Sequence, residues 1–151
     1  MHSLVRRYLK TAITFLAIGL AIGGWMIINR EFRGAAPDAY LASAHTHAIF
    51  VGFVMMMILG VALWLFPRPE KGDVRYRPFV VSAAWWLVTT GTAARILGEL
   101  LHLITSGSWL SWLVTLAGLA QIAGIGAFFF TMWSRIRPLG SQVREAKGER
   151  F

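Results

Sequence analysis

The sequence contains no cysteine, which excludes disulfide bonds, cysteine-ligated zinc and iron–sulfur clusters. Acidic residues are also few, with 7 Asp and Glu against 15 Lys and Arg, so the formal net charge is +8. A basic chain can indicate nucleic-acid binding, but no basic patch or nucleic-acid-binding motif is present. The basic residues lie in short hydrophilic segments between apolar runs, which favours anionic lipid headgroups and predicts no nucleic-acid partner.

What the chain has in abundance is apolar sequence: it is 56% hydrophobic, with seven Trp and ten Phe. Four apolar runs cover residues 11–29, 42–66, 79–104 and 109–133, and each is near the ~20 residues that a membrane-spanning helix requires. The runs do not alternate in polarity as barrel strands do. We therefore predict an all-α, four-helix transmembrane bundle over residues 1–137, in contact with the lipid bilayer, and a basic, disordered tail over 138–151.

The distribution of Lys and Arg predicts how the bundle is oriented. One side carries twelve basic residues: Arg6, Arg7, Lys10, Arg68, Lys71, Arg75, Arg77, Arg135, Arg137, Arg144, Lys147 and Arg150. The opposite side carries only Arg30 and Arg33. Because cytoplasmic loops hold the excess of positive charge, both termini are predicted to be cytoplasmic.

Small and polar residues predict where helices meet. Gly19 and Gly23 form a small-xxx-small pair of the kind that marks close helix contact. The fourth run carries Gln121 near the middle of the membrane, where an interhelical hydrogen bond is expected. The same run has a ridge of small residues, namely Ala117, Ala120, Gly124 and Ala127. These contacts predict a homo-oligomer, either a dimer or a trimer.

Two of the four histidines, His45 and His47, stand in the first turn of the second apolar run. An ionisable side chain inside a membrane helix indicates a functional site, because its burial without a partner is unfavourable. At about 3.6 residues per turn the two imidazoles point about 200° apart, so one regular helix cannot direct both at one ion. The His45 face continues through Ala48 and Gly52, which makes His45 the better inward ligand. His47 is left for an oligomer contact or a second site.

The end of the third run carries Arg95, Glu99 and His102, whose spacings of i, i+4 and i+7 place them on one helix face. The predicted topology brings this end to the same side of the membrane as the start of the second run. The candidate metal ligands expected at similar depth are therefore His45, His47, Glu99 and His102. Imidazole and carboxylate ligands suit zinc, copper or iron. Alternatively, Arg95 and Glu99 form a plain intrahelical ion pair.

The second run also resembles a known sequence. Ala44-His45-Thr46-His47-Ala48-Ile49-Phe50, followed by Gly52-Phe53, Gly60 and Trp64-Leu65-Phe66-Pro67, resembles the second helix of subunit I in the haem–copper oxidase and nitric oxide reductase superfamily. In that superfamily the histidine that opens this helix is an axial ligand of the low-spin haem, and the resemblance implies this role for His45. The superfamily has many more helices, so the resemblance implies a short four-helix relative and does not support oxygen or nitric oxide reduction by the superfamily's mechanism.

Three functions are compatible with these residues. The first is a membrane haem b protein for electron transfer or for binding nitric oxide or oxygen, in the cytoplasmic membrane of a bacterium or archaeon, with a redox partner as a further option. Its axial ligands would be His45 and either His102 or a histidine of a neighbouring copy, and the arginines that could pair with the propionates are Arg95, Arg30 and Arg33. The second function is non-haem metal binding by the His/Glu cluster. The third is an assembly or structural subunit.

Overall fold

A computed structural model describes residues 3–67, 76–136 and 147–148. Within these ranges the chain is helical and contains no strand. The elements are α1 (Ser3–Arg33), α2 (Ala39–Thr46), a π-helix (His47–Met55), α3 (Met56–Leu65), α4 (Pro78–Leu101), α5 (Ser108–Met132) and a final 3-10 turn (Trp133–Arg135). The elements from α2 to α3 are continuous, and we call them the second span. The predicted tail, apart from residues 147 and 148, and loop residues 68–75 lie outside the described residues.

The prediction of four membrane-length helices is confirmed. The four that are long and apolar enough to cross a membrane are Ser3–Arg33, Ala39–Leu65, Pro78–Leu101 and Ser108–Arg135. Asp38 caps the second span, because its side chain accepts hydrogen bonds from the backbone N–H groups of Tyr40 at 2.7 Å and Leu41 at 3.4 Å. Pro78 occupies the first turn of α4, where its missing N–H is not needed.

The spans pack in the order of the sequence, with α1 against the second span, the second span against α4, and α5 against α4. The larger core lies at the end of the domain that contains Tyr8. There the rings of Tyr8 and Phe128 meet edge to face with centroids 5.8 Å apart, which joins the first helix to the last. The Tyr8 hydroxyl also donates to the carbonyl of Val81 at 2.8 Å. Buried Gln121 donates to Thr92 at 3.1 Å, which is the interhelical hydrogen bond expected from the sequence.

A smaller core lies at the opposite end, which we call the His45 end. It is built from α1, the second span and α4, and its buried members are Phe15, Ala44, Ala48 and Ile96. No residue of α5 belongs to it. This smaller core therefore joins three spans, whereas all four contribute to the core at the Tyr8 end. At the His45 end α5 packs against α4, where a Cβ atom at Gly98 would lie 2.9 Å from Cγ2 of Val114.

Arg135 closes the second span at the Tyr8 end. Its side chain is buried, and its guanidinium donates to the carbonyls of Pro67 at 2.7 Å, Phe66 at 2.9 Å and Leu63 at 3.3 Å. The same group lies 4.8 Å from the centroid of the Tyr76 ring. Carbonyls at the end of a helix lack intrahelical partners, so this arginine supplies the donors that they need.

The π-helix was not predicted from the sequence. Nine residues, His47–Met55, adopt it in the middle of a span that we expected to be regular α-helix. Such i→i+5 segments are rare, are commonly a single turn, and are frequent at functional sites. The predicted inward face is nevertheless retained, because Ala48 and Gly52 are both buried.

Gly52 marks the closest approach of α1 to the π-helix. A Cβ atom placed there would lie 2.5 Å from Cγ and 2.6 Å from Cβ of Phe15. We expect Gly52→Ala to lower the free energy of unfolding by about 1–3 kcal/mol, the usual effect of overpacking. The measurement is a thermal unfolding curve in detergent. Gly126→Ala is the control because a Cβ there meets nothing within 4 Å. A Gly52→Ala protein as stable as the wild type would contradict this packing.

Candidate functional site

The imidazole of His45 lies against α1. Its Nδ1 atom is 2.9 Å from the carbonyl oxygen of Gly19. Since a carbonyl oxygen can only accept, Nδ1 carries the proton and donates it to this bond. The neutral ring then has its lone pair on Nε2, the nitrogen that remains available to a metal. Metal-ligating histidines are commonly held by this kind of bond, which fixes both the tautomer and the ring orientation.

Two glycines of α1 make room for this side of the second span. A Cβ atom at Gly23 would lie 2.8 Å from Cε1 and 3.1 Å from Nδ1 of His45. One at Gly19 would lie 2.5 Å from Cδ1 of Ile49 and 3.3 Å from Cβ of Ala48. The predicted small-xxx-small contact is therefore confirmed, and its partner is the second span of the same chain.

A groove of about 470 Å³ opens beside the His45 ring. This volume is within the ~300–1,000 Å³ typical of small-molecule sites. The groove is mainly apolar and is lined by residues of α1 between positions 20 and 30, by Pro37 and by His45. Gly24 keeps it open, because a Cβ atom there would meet nothing within 4 Å. A flat apolar molecule could therefore lie along α1 next to Nε2 of His45.

Arg30 supplies the only charge among the residues that line this groove. Its Nε donates to Glu31 at 2.8 Å, and the two side chains are 63% and 57% exposed. Exposed pairs of this kind contribute little stability. The Arg30 guanidinium can therefore exchange Glu31 for a carboxylate bound in the groove.

The residues predicted on α4 meet the opposite side of the second span. Glu99 is 2% exposed, and its Oε1 accepts from Ser43 Oγ at 2.7 Å and from Arg95 Nε at 3.0 Å. Its Oε2 is buried and has no hydrogen-bond partner among the described residues. His47 donates from Nδ1 to the Ser43 carbonyl at 2.9 Å, and the Ser43 hydroxyl is 3.4 Å from the same nitrogen. The ion pair expected from the sequence is present, and Ser43 connects it to His47.

His102 lies one turn closer to the end of the helix than Glu99. Its ring is stacked on that of Tyr40, with centroids 4.3 Å apart and an interplanar angle of 9°. Two contacts thus join the second span to α4, Ser43 with Glu99 and Tyr40 with His102, while His47 and Arg95 bond to Ser43 and Glu99 on their own helices. We call these six residues the polar seam: Tyr40, Ser43 and His47 on the second span, and His102, Glu99 and Arg95 on α4. His45 points away from this seam, towards α1, in agreement with the angle of about 200° between positions 45 and 47.

The predicted site residues therefore fall at two places. His45 lines the groove, whereas His47, Glu99, His102 and Arg95 belong to the polar seam, and none of these four lines the groove. In the described part of the chain, no group of three or more His, Asp or Glu side chains is placed to hold one metal ion. The structure thus does not bring His102 to His45 as a second axial ligand from the same chain.

Sequence reasoning missed three residues that shape these two places. Ser43 lies four residues before His47 and Tyr40 three residues before Ser43, so a search for polar groups at helical spacing would have found both. Gly24 could not be singled out from the sequence, because the neighbouring pair of Gly19 and Gly23 already explained why α1 contains glycine.

The fold and the groove define the class of this protein. It is an all-α protein with four helices long and apolar enough to cross a membrane, and it carries a histidine in a lateral groove at one end. The chain belongs to the family described as Domain of unknown function (DUF8744), whose profile matches residues 4–136 and so covers all four spans. No curated protein and no solved structure matches the chain.

Proposed function

We propose that this protein is a membrane haem b protein that holds the haem in the groove beside His45, for electron transfer or for binding a diatomic gas. The observation that carries the proposal is the 2.9 Å hydrogen bond from Nδ1 of His45 to the Gly19 carbonyl. This bond leaves the lone pair of Nε2 available beside an apolar groove, and metal-binding imidazoles are commonly held in this way. The resemblance of this stretch to the second helix of oxidase subunit I supports the same residue.

The chemistry of the groove suits a haem. Its apolar lining matches the macrocycle, and Gly24 leaves space for a flat ring. Arg30 lines the groove and offers a planar fork that suits a propionate, whereas Arg95 does not line the groove. A chain without cysteine cannot attach haem through thioethers, so the haem would be held non-covalently.

The protein's own contribution is to bind, orient and shield. His45 would hold the iron, Gly23 and the Gly19 carbonyl would fix the plane of the imidazole, and Arg30 would orient the propionate edge. A bound haem would supply one-electron redox chemistry when both axial positions are filled, or an open position for a gas when only one is filled. The predicted topology places the His45 end at the outer surface, where propionates reach water.

The non-haem alternative would use the polar seam, and the geometry there favours it less. The buried carboxylate of Glu99 already accepts from Arg95 and Ser43, and the ring of His102 is stacked on Tyr40. The guanidinium of Arg95 supplies the positive charge that a metal ion would otherwise bring to this carboxylate.

Gly24→Leu tests the groove. The new side chain would occupy the space assigned to the haem, and its Cβ atom would meet nothing within 4 Å. We expect protein purified from haem-sufficient cells to contain at least about tenfold less haem than the wild type. A pyridine haemochrome assay per mole of protein measures this. Gly126→Leu is the matched control, since Gly126 on α5 is equally open, and it should retain wild-type haem.

The outcomes separate the alternatives. Equal haem in the wild type and both variants would show that haem does not lie in this groove. A wild type without haem under the same conditions would reject the haem function altogether.

A further inference from the structure

The groove beside His45 is half of a haem site. It supplies one histidine and one arginine, and it lies along one side of α1. The apolar side chains around it are largely exposed, including Leu20 at 61% and Ile27 at 58%. Haem presents two faces to axial ligands and carries two propionates. Besides His45, the groove lining contains one other residue of a type that ligates haem iron, Met26, and no second histidine among the described residues. A six-coordinate haem with two imidazole ligands therefore needs a histidine from a second chain.

Two-fold symmetry supplies every missing part. Closed two-fold dimers are the commonest homo-oligomers, and in their interfaces the same surface patch is used by both copies. A two-fold axis that lies in the haem plane and passes between the propionates exchanges the two faces and also exchanges the two propionates. One ligand and one arginine per chain are then the complete set, because each is presented twice on opposite sides of the axis.

We infer that two copies of this chain share one haem between their α1 helices. His45 and the partner's His45 are the two axial ligands, and Arg30 and the partner's Arg30 each pair with one propionate. This inference rests on the proposed haem function and adds the partner, the stoichiometry and the second ligand. It also selects the dimer from the two oligomers that the sequence predicts.

The positions of the groups along α1 agree with this arrangement. Arg30 follows Gly23 by seven residues, which is about two helical turns, so the cation lies on the same face as the glycine that contacts His45 but closer to the end of the helix. In a dimer whose axis is normal to the membrane, both arginines lie at the same depth and at the same end, as the single propionate edge of a haem requires. Gly24 adds no side chain between the copies, which leaves this space to the haem.

The first test counts haem and chains in the purified full-length protein. Native mass spectrometry from detergent and the pyridine haemochrome assay should both give one haem per two chains, and the ferric and ferrous spectra should be those of a six-coordinate, low-spin haem. One haem per chain, or a five-coordinate haem in the wild type, would overturn the shared site while leaving the proposed haem function intact. A wild type that binds no haem would overturn both.

The second test uses mixed dimers. Wild-type and His45→Ala chains with different affinity tags are co-expressed, and dimers that contain one of each are isolated by two successive affinity steps. We expect these dimers to keep haem on a single histidine, with a shift from a low-spin to a high-spin spectrum and rapid binding of carbon monoxide. Mixed dimers with His102→Ala are the control and should stay low-spin. Half the wild-type haem with an unchanged low-spin spectrum would mean that each haem is ligated within one chain, and would overturn the inference.

Discussion

His45→Ala is expected to remove nearly all haem from the protein. Even the outer-shell partners of metal ligands are worth about 10–100-fold in affinity, so the loss of the ligand itself should weaken haem binding by at least about 100-fold. The substitution also removes the imidazole that bonds to Gly19 but leaves the helix intact, because alanine is a strong helix former. Titration of haem-free protein with haem, followed through the Soret absorbance, measures the effect.

Two matched substitutions give this experiment its controls. His47→Ala changes the same residue type two positions later, and His47 is bonded to Ser43 in the polar seam. His102→Ala removes the ring that is stacked on Tyr40. Both variants should bind haem as the wild type does. If His102→Ala loses haem while His45→Ala keeps it, the site lies in the polar seam and the account based on the groove is wrong.

Arg95→Met is expected to have the largest effect on stability. Glu99 is 2% exposed, and without Arg95 its carboxylate keeps only the hydrogen bond from Ser43. Breaking one half of a buried ion pair costs about 3–5 kcal/mol because a buried charge is left uncompensated. We therefore expect the free energy of unfolding, measured by equilibrium denaturation in mixed micelles, to fall by about this amount.

A double-mutant cycle separates the ion pair from packing around it. Adding Glu99→Gln to Arg95→Met removes the stranded charge and should recover most of the lost stability. Glu99→Gln alone should have a smaller effect, since the Arg95 side chain is 25% exposed and its charge can reach solvent. Glu31→Gln breaks the exposed pair with Arg30 and should change stability by less than about 1 kcal/mol. Additive effects of Arg95→Met and Glu99→Gln would contradict a coupled buried pair.

The four helices could be predicted because the requirement that creates them acts within each segment. A chain in lipid must satisfy its backbone hydrogen bonds internally, so an apolar run near 20 residues specifies a helix regardless of its neighbours. The predicted ends of the helices were less accurate, because contacts with other spans can extend a helix beyond its apolar run. The first run was placed at 11–29, whereas α1 begins at Ser3, because Val5 and Tyr8 are buried against other spans and extend the helix beyond its apolar part.

The candidate site could be predicted only in part. Helical periodicity correctly separated His45 from His47 and grouped Arg95 with Glu99, since both inferences depend on one helix at a time. Which helix each face meets depends on tertiary packing. The hydrogen bond from His45 to Gly19 joins residues 26 positions apart in sequence, and the one from Ser43 to Glu99 joins residues 56 positions apart. The π-helix over His47–Met55 is likewise not explained by its residue types.

The most direct measurement is the visible absorption spectrum of the wild-type protein, produced with an ample supply of haem and recorded before and after reduction with dithionite. We predict a Soret band and sharp α and β bands on reduction, as a low-spin haem b gives when it is held by imidazole ligands. A colourless preparation of the folded protein would contradict the assignment of His45 as a haem ligand.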